Sequence, residues 1–332
     1  MINRIILYPW PGMRADKTVA LLAECGFNSL GLMVKPIEGP PIVETDFFAG
    51  RDDGTLDALI KEARSHQMEV VGKLSVMCDL RLCYARPDLI SIARNAIPLV
   101  HPFVDRDWYG FLCPNREETI SAYVELLERV LGEHEMDAIN LEYVAHAFAK
   151  QEDDRRIFAC YCTRCRDEFR QQTGQDPLEL PQLSSAWVQW RSDKIAENLR
   201  AFKKVARGHS TVLEVTQDQE SVAEHRIDNM YMRALGIDLN LTSEIVDRFC
   251  PKLVHGESRL AYRQLRHFRD GFNLDLVPEV TSSFIGKPED FLAYLKTSEL
   301  SGCAGIALAG YGALPGSIGE GTLRSIGQLV CL

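Results

Sequence analysis

Ile5-Ile6-Leu7-Tyr8-Pro9-Trp10-Pro11-Gly12 is the stretch that decides between two α/β folds for this chain. A short apolar run that stops at Pro and Gly reads as a buried strand and its exit loop. A doubly wound nucleotide-binding sheet would place a G-x-G-x-x-G turn there, so that the backbone can approach a phosphate. Pro9-Trp10-Pro11 stands in that position instead, so the first strand opens another kind of unit.

Working outward, strand-like and helical patterns keep alternating. A helix over about residues 16–25, closed by Gly26, leads to a strand at 29–34. A helix at 54–67, with Leu56, Leu59, Ile60 and Ala63 on one face, leads to a strand at 70–76. Ile120, Tyr123, Val124, Leu127 and Val130 recur at helical spacing within 117–131 and precede a strand at 138–144. After a long insertion come a helix at 186–206 and a strand at 211–216. A mostly helical stretch at 230–249 precedes a short sixth strand at 252–255. Helices at 260–269 and 289–298 alternate with strands at 274–280 and 305–309. Eight strand–helix units predict a parallel (β/α)8 barrel, a TIM barrel, as one domain over residues 1–332 with long loops around strand four.

Length alone, at ~150 residues per domain, suggests roughly two domains, but one α/β barrel commonly takes ~250 residues or more. Of 332 residues, 46% are hydrophobic and 25% charged, which excludes general disorder. Lys and Arg number 37 against 47 Asp and Glu, a net charge of −10 that excludes a general phosphate-backbone binder. No run of apolar residues is long enough to span a bilayer, so no membrane partner is expected. Residues 1–8 lack the apolar core of a secretory signal, so the expectation is a cytoplasmic chain with reduced thiols, with homo-oligomers possible. Six of its ten cysteines, Cys25, Cys78, Cys83, Cys250, Cys303 and Cys331, then read as buried thiols.

The other four read as ligands. Cys160-x-Cys162-x-x-Cys165 places three thiols within six residues, and Cys113, in the loop before the helix into strand four, is the candidate fourth. Four thiolates suit tetrahedral zinc in a closed, structural site. This predicts a zinc-bound loop element around 105–180, with the chain between Pro87 and Pro114 folded over the barrel mouth and Arg164 and Arg166 offsetting the thiolate charge.

Cys113-Pro114-Asn115, then Asp137-Ala138-Ile139-Asn140-Leu141-Glu142-Tyr143, then Cys160-x-Cys162-x-x-Cys165-Arg166 with Phe169, resembles a family pattern. It is similar to glycoside hydrolase family 42 β-galactosidases, which carry C-P-N-S-P, an N-E-Y strand end and C-x-C-x-x-C-R-x-x-F. It also resembles uncharacterised glycoside-hydrolase-like barrels whose fourth strand reads D-G-I-H-L-D-Y. The likeness covers about a quarter of the chain, from Cys113 to Trp190. It departs at Leu141, where the β-galactosidases have Asn, and in the chain's shorter length. It implies zinc on the cysteines, an acid/base ending strand four and a nucleophile ending strand seven.

Active sites of such barrels lie at the C-terminal strand ends. Glycoside hydrolysis needs two carboxyls there. Glu142 ends strand four and is the expected acid/base; Glu279 ends strand seven and is the expected nucleophile. Their carboxyl carbons should lie ~5–5.5 Å apart for retention, or farther for inversion. Tyr8, Trp10, Lys35, Asp79, Asn140, Tyr143, His255 and Tyr311 are the expected substrate contacts, with Trp10 and Tyr311 as stacking platforms and His255 beside Glu257. Asp218 and Glu220 are weaker candidates, and mid-strand Glu214 would need a Lys or Arg partner. Trp108 and Tyr109 read equally well as packing for the cysteine loop, Trp187 and Trp190 as core, and the glycines after strand eight as turns. The leading expectation is a retaining glycosidase acting on a carbohydrate. The alternatives are a barrel lyase or isomerase using Lys35 or Lys73 with His255 or Glu279, and a carbohydrate-binding barrel whose two glutamates do not face each other.

Overall fold

Alternation along the first strand sets the architecture. In β1 (Ile2–Tyr8), Ile5 and Leu7 join the main apolar core, whereas Arg4, Ile6 and Tyr8 turn to the opposite face. The same division recurs in β2 (Ser29–Lys35), β3 (Glu69–Ser75) and β4 (Ala138–Glu142). β5 (Phe148–Lys150) and β6 (Arg156–Phe158) form a separate antiparallel hairpin. β7 (Val212–Gln217), β8 (Arg248–Leu253), β9 (Glu279–Thr281) and β10 (Gly305–Gly312) complete a closed parallel barrel in the order β1-β2-β3-β4-β7-β8-β9-β10. This computed structural model describes all residues except 11, 51–53, 105–109, 151–155, 218–230, 254–257, 273, 313–317 and 331–332.

The helices that follow the barrel strands cover its outside. They are α1 (Ala15–Glu24), α2 (Thr55–Ser65), α4 (Glu117–Glu133), α6 (Ser185–Gly208), α7 (Leu239–Ile245), α8 (Ser258–Phe272), α9 (Pro288–Leu300) and α10 (Glu320–Val330). Two further helices, α3 (Leu80–Ala85) and α5 (Thr163–Thr173), belong to the loops after β3 and β4. The expected (β/α)8 fold is therefore present, with two corrected boundaries. The helix expected to reach residue 249 stops at Ile245, and the sixth barrel strand starts at Arg248. The seventh is short: Pro278 has no N–H for the ladder, and Glu279 begins β9 rather than nearly ending it.

Two register shifts matter for the mouth. Between Met33 and Lys35 the pairing of β2 slips, so Lys35 lies beside outward-facing Leu74. Between Ile6 and Leu7 the pairing with β10 skips Gly310, whose φ of +110° suits glycine, and Tyr311 lies beside outward-facing Leu7. Simple alternation assigns both side chains to the barrel mouth; the extra residue in each strand turns them outward.

A second apolar cluster lies over one side of the barrel. It joins Leu99, Phe111, Cys113, Cys160, Tyr161, Cys165, Phe169, Trp187 and Trp190. The loop after β3 is joined to the loop after β4 within this cluster by a backbone bridge, Ala93 opposite Ala159. Trp187 and Trp190 stack at 4.9 Å, with the Phe169 ring edge-on to both. They are core residues, as expected.

Candidate active site

The barrel interior is filled by charged side chains in two layers with smaller groups between. In the lower layer Arg4 donates to Glu214 at 2.5 and 2.9 Å and to Glu69 at 3.0 Å. Arg248 donates to the same two carboxylates at 2.8 Å. Glu214 thus has the cationic partner its position required. Burial pushes its carboxyl up, but Arg4, Arg248 and the Asn140 amide outweigh this and hold it at about 2. Above this layer Ile6, Cys250, Val277, Ala307 and Ala309 pack together. The void left beneath Lys73 and Glu279 is only about 10 Å³.

The upper layer holds the two expected carboxylates. Glu142 and Glu279 are both buried, and one ammonium group, that of Lys73 on β3, contacts both. It donates to Glu279 Oε2 in a short hydrogen bond and lies 3.7 Å from Glu142 Oε2. Lys252 on β8 donates to the other Glu142 oxygen and lies 5.2 Å from the centre of the Tyr143 ring. Burial raises the Glu142 carboxyl, but Lys252 and Lys73 more than reverse this, so it is held below its ordinary range. Tyr8 reaches the same group of charges: burial, then Glu142 and Glu279, raise its hydroxyl well above the usual phenol. Tyr143 follows Glu142 with φ of +62°, a conformation that non-glycine residues adopt at a cost and that often marks functional loops.

The remaining expected contacts divide. Trp10 lines a cleft of about 130 Å³ with Pro9, Met33, Pro36, Pro40 and Leu56. Asn140 lies below the mouth, donating to Glu214 at 3.2 Å and accepting from Thr216 at 2.7 Å. Lys35 and Asp79 are spent on each other: their buried ion pair spans 2.8 Å outside the barrel lumen. Asp79 also accepts from the Tyr123 hydroxyl at 2.8 Å and caps α3 through the Leu82 N–H. Tyr311 packs half-buried against the main core and is no platform over the mouth. His255 with Glu257, Asp218, Glu220, Trp108, Tyr109 and Cys331 lie outside the described residues.

The sequence points to Lys73 only in the lyase alternative and to Lys252 not at all. A sixth strand drawn at 252–255 put Lys252 at its lower end. The observed strand puts it near the top, two residues beyond lumen-facing Cys250. The alternation Arg248, Cys250, Lys252 was the available signal.

The cysteine element is assembled as expected. The sulfurs of Cys113, Cys160, Cys162 and Cys165 all lie within 4.8 Å of one another, and all four residues are buried. Cys113 Sγ is 3.7 Å from that of Cys162 and 3.5 Å from that of Cys165. A tetrahedron with metal–sulfur bonds of ~2.3 Å has edges of about 3.8 Å, so the cluster fits a metal ion. The N–H groups of Ile92 and Cys162 point at Cys160 Sγ from 3.4 and 3.5 Å. Arg164 and Arg166 do not supply the charge balance: they pair with Glu168 and Asp176. Arg191 of α6 is the buried cation on this side. It is fully buried and donates to the carbonyls of Arg233 and Ala234 at 2.8 and 2.7 Å. Burial draws its guanidinium down to about 10, against an upward pull from Tyr161, Cys160 and Cys165.

No family model matches the chain, and no curated protein matches it in sequence. The likeness is in structure. α-L-Fucosidase isoenzyme 2 from Paenibacillus thiaminolyticus superposes with a TM-score of 0.71 at 16% identity, over 99% of this chain and 48% of that one. The PgaB (BpsB) glycoside hydrolase domain from Bordetella bronchiseptica gives 0.71 at 12% identity, over 98% and 99%. A β-galactosidase from Marinomonas ef1 gives 0.71 at 11% identity, over 99% and 59%. The chain thus spans about half of the fucosidase and nearly all of the Bordetella domain. At these identities the comparisons establish a shared barrel fold, one that glycoside hydrolases use.

Proposed function

We propose that the protein is a retaining glycoside hydrolase, with Glu142 as acid/base and Glu279 as nucleophile. The observation that carries this reading is the meeting of carboxylates from the fourth and seventh barrel strands on the single ammonium of Lys73. That contact supports a facing pair at the closer of the two spacings. In the first step a Glu279 oxygen would bond to the anomeric carbon as the bond to the leaving oxygen breaks, and Glu142 would give that oxygen its proton. In the second step Glu142 would take a proton from water as the water displaces Glu279. Lys73 would hold the nucleophile in place through its hydrogen bond. Tyr8 would border the pair, and Trp10 with its prolines would wall the adjoining cleft.

The four cysteines would hold zinc as a structural ion that ties the loops after β3 and β4 together. With all four positions taken by sulfur, the ion supplies cross-linking rather than an open coordination site. Domain organisation follows: one catalytic barrel with a zinc-bound element around 105–180.

The test is a screen of aryl glycosides in both anomers, with Glu142→Gln and Glu279→Gln beside the wild type. Losses of about 10²–10⁴-fold are expected for Glu142→Gln, and Glu279→Gln should be inactive. NMR of the first-formed sugar should show retained configuration. Full activity in either folded variant removes that residue's role. The short Lys73–Glu279 contact also suits proton transfer in a lyase or isomerase, a reading that gains if no glycoside is cleaved. Lys35 drops out of that alternative because Asp79 and the barrel wall enclose it.

A further inference from the structure

The cleft beside the mouth bears on the leaving group. Gly31 of β2 lines the small void beneath Lys73, and Met33 follows it by two residues on the same lumen face. Met33 also pairs in register with Lys73, the residue that contacts both glutamates. The same Met33 lines the cleft of about 130 Å³ that Trp10 borders. Trp10 in turn stands two residues beyond Tyr8, whose hydroxyl feels the charges of Glu142 and Glu279. The cleft is therefore continuous with the mouth and crosses the barrel rim between β1 and β2 to reach Leu56 of α2.

Size and walls together select the occupant. An apolar cavity of ~150 Å³ holds one benzene ring, so this cleft has room for a single ring. Trp10, Met33, Leu56 and four prolines supply its walls. Proline offers a rigid C–H surface without an N–H donor, and an indole stacks on other flat rings. A sugar set between such walls would lose water from the hydroxyls on both its faces. A planar aromatic ring has no hydrogen bonds to lose from its faces and gains the area it buries. Peptide groups and Thr55 make up the polar part of the lining, which suits substituents on the edge of the ring.

Resting on the glycosidase reading, we propose that the substrate is an aromatic glycoside, whose one-ring aglycone seats against Trp10 in this cleft while the sugar lies over Glu142 and Glu279. The glycosidic oxygen then lies at the boundary between cleft and mouth. When its bond to the anomeric carbon breaks, that oxygen takes the proton of Glu142, and the aromatic alcohol or phenol leaves by the cleft. Trp10 is the residue that sets the preference for the leaving group.

The test compares kcat/KM for benzyl and methyl glycosides of the same sugar, over a panel of sugars in both anomers, with disaccharides of those sugars alongside. Benzyl alcohol and methanol are of similar acidity, so the ratio reads the cleft and not the strength of the bond. The benzyl glycoside is expected to exceed the methyl glycoside by tenfold or more in the wild type. Trp10→Ala should bring that ratio toward one, chiefly through a higher KM for the benzyl glycoside, and Trp10→Phe should keep most of it. Ile42→Phe, which narrows the cleft from a half-buried position, should lower the ratio as well and decides if Trp10→Ala fails to fold. A benzyl preference that survives both Trp10→Ala and Ile42→Phe places the ring elsewhere and overturns the proposal. Equal rates for benzyl and methyl glycosides, or a disaccharide cleaved faster than the benzyl glycoside of the same sugar, overturn it and leave the glycosidase reading intact. Absence of cleavage of every glycoside by the wild type overturns both.

Discussion

Glu142 and Glu214 are both buried glutamates facing the barrel lumen, and their partners give them different work. Glu214 is locked by two arginines, so its charge is structural. Removing it as Glu214→Gln leaves Arg4 and Arg248 short of an anion, and a loss of about 3–5 kcal/mol is expected in urea denaturation. Its folded carboxyl is held down at about 2 against an ordinary 4.5. The stability it contributes is therefore complete above the unfolded value and is lost as pH falls toward 2. A stability–pH curve of Glu214→Gln should be flatter than wild type below about pH 4.5; equal slopes would assign the acid sensitivity elsewhere. Glu142 is held by lysines at a mouth that substrate can enter. Tyr8, Lys73, Lys252 and Glu279 face it, and the lysines keep it ionised in the free protein. If it must be protonated to act, the alkaline limb of kcat/KM, which reports the free protein, should fall at lower pH than that of kcat. Coincident limbs would mean that substrate binding leaves the surroundings of Glu142 unchanged.

At the scale of elements, the eight-fold alternation was legible because apolar periods of two and 3.6 follow directly from burial. What it could not reveal was a single extra residue. In β2 and β10 one inserted residue turns Lys35 and Tyr311 away from the mouth, and neither bulge changes the hydrophobic pattern enough to be read. The two facing carboxylates were legible for the opposite reason: Glu142 lies on an uninterrupted strand, and Glu279 is fixed by its neighbours Lys252 and Ala307. Lys252 was hidden by a boundary error, since a helical reading ran over Arg248 and Phe249 into the strand. The β10 bulge can be tested through Gly310. A Cβ there would stand 2.3 Å from Ser282 Oγ, at a φ of +110° that other residues resist. Gly310→Ala is expected to cost at least about 1 kcal/mol. An unchanged denaturation midpoint would show that β10 can pair without the bulge.

Across the whole molecule, the cysteine element and the barrel mouth are tied by one buried cation. His146, four residues beyond Glu142, donates its backbone N–H to Leu235 O and has Nε2 3.3 Å from the carbonyl of Arg191. Arg191 in turn holds the carbonyls of Arg233 and Ala234. A guanidinium buried without a carboxylate partner among the described residues needs a nearby negative centre. Four thiolates around a divalent ion carry a net charge of about −2, and α6, which carries Arg191, also contributes Trp187 and Trp190 to the cysteine cluster, where Tyr161 packs against Trp187. A charge pair ~10 Å apart at an effective dielectric of ~20 is worth ~1.7 kcal/mol per unit charge, which is more than tenfold in affinity. If the cluster holds zinc as proposed, release of that zinc to a chromogenic chelator should therefore be faster from Arg191→Gln than from the wild type, by about tenfold at that separation, and intermediate from Arg191→Lys. Stripping the metal from the wild type should lower its Tm and open residues 105–180 to protease, with both effects reversed by zinc. Equal release from wild type and Arg191→Gln would remove the charge-balancing role. Release that is faster in both variants alike would assign Arg191 to packing rather than to charge.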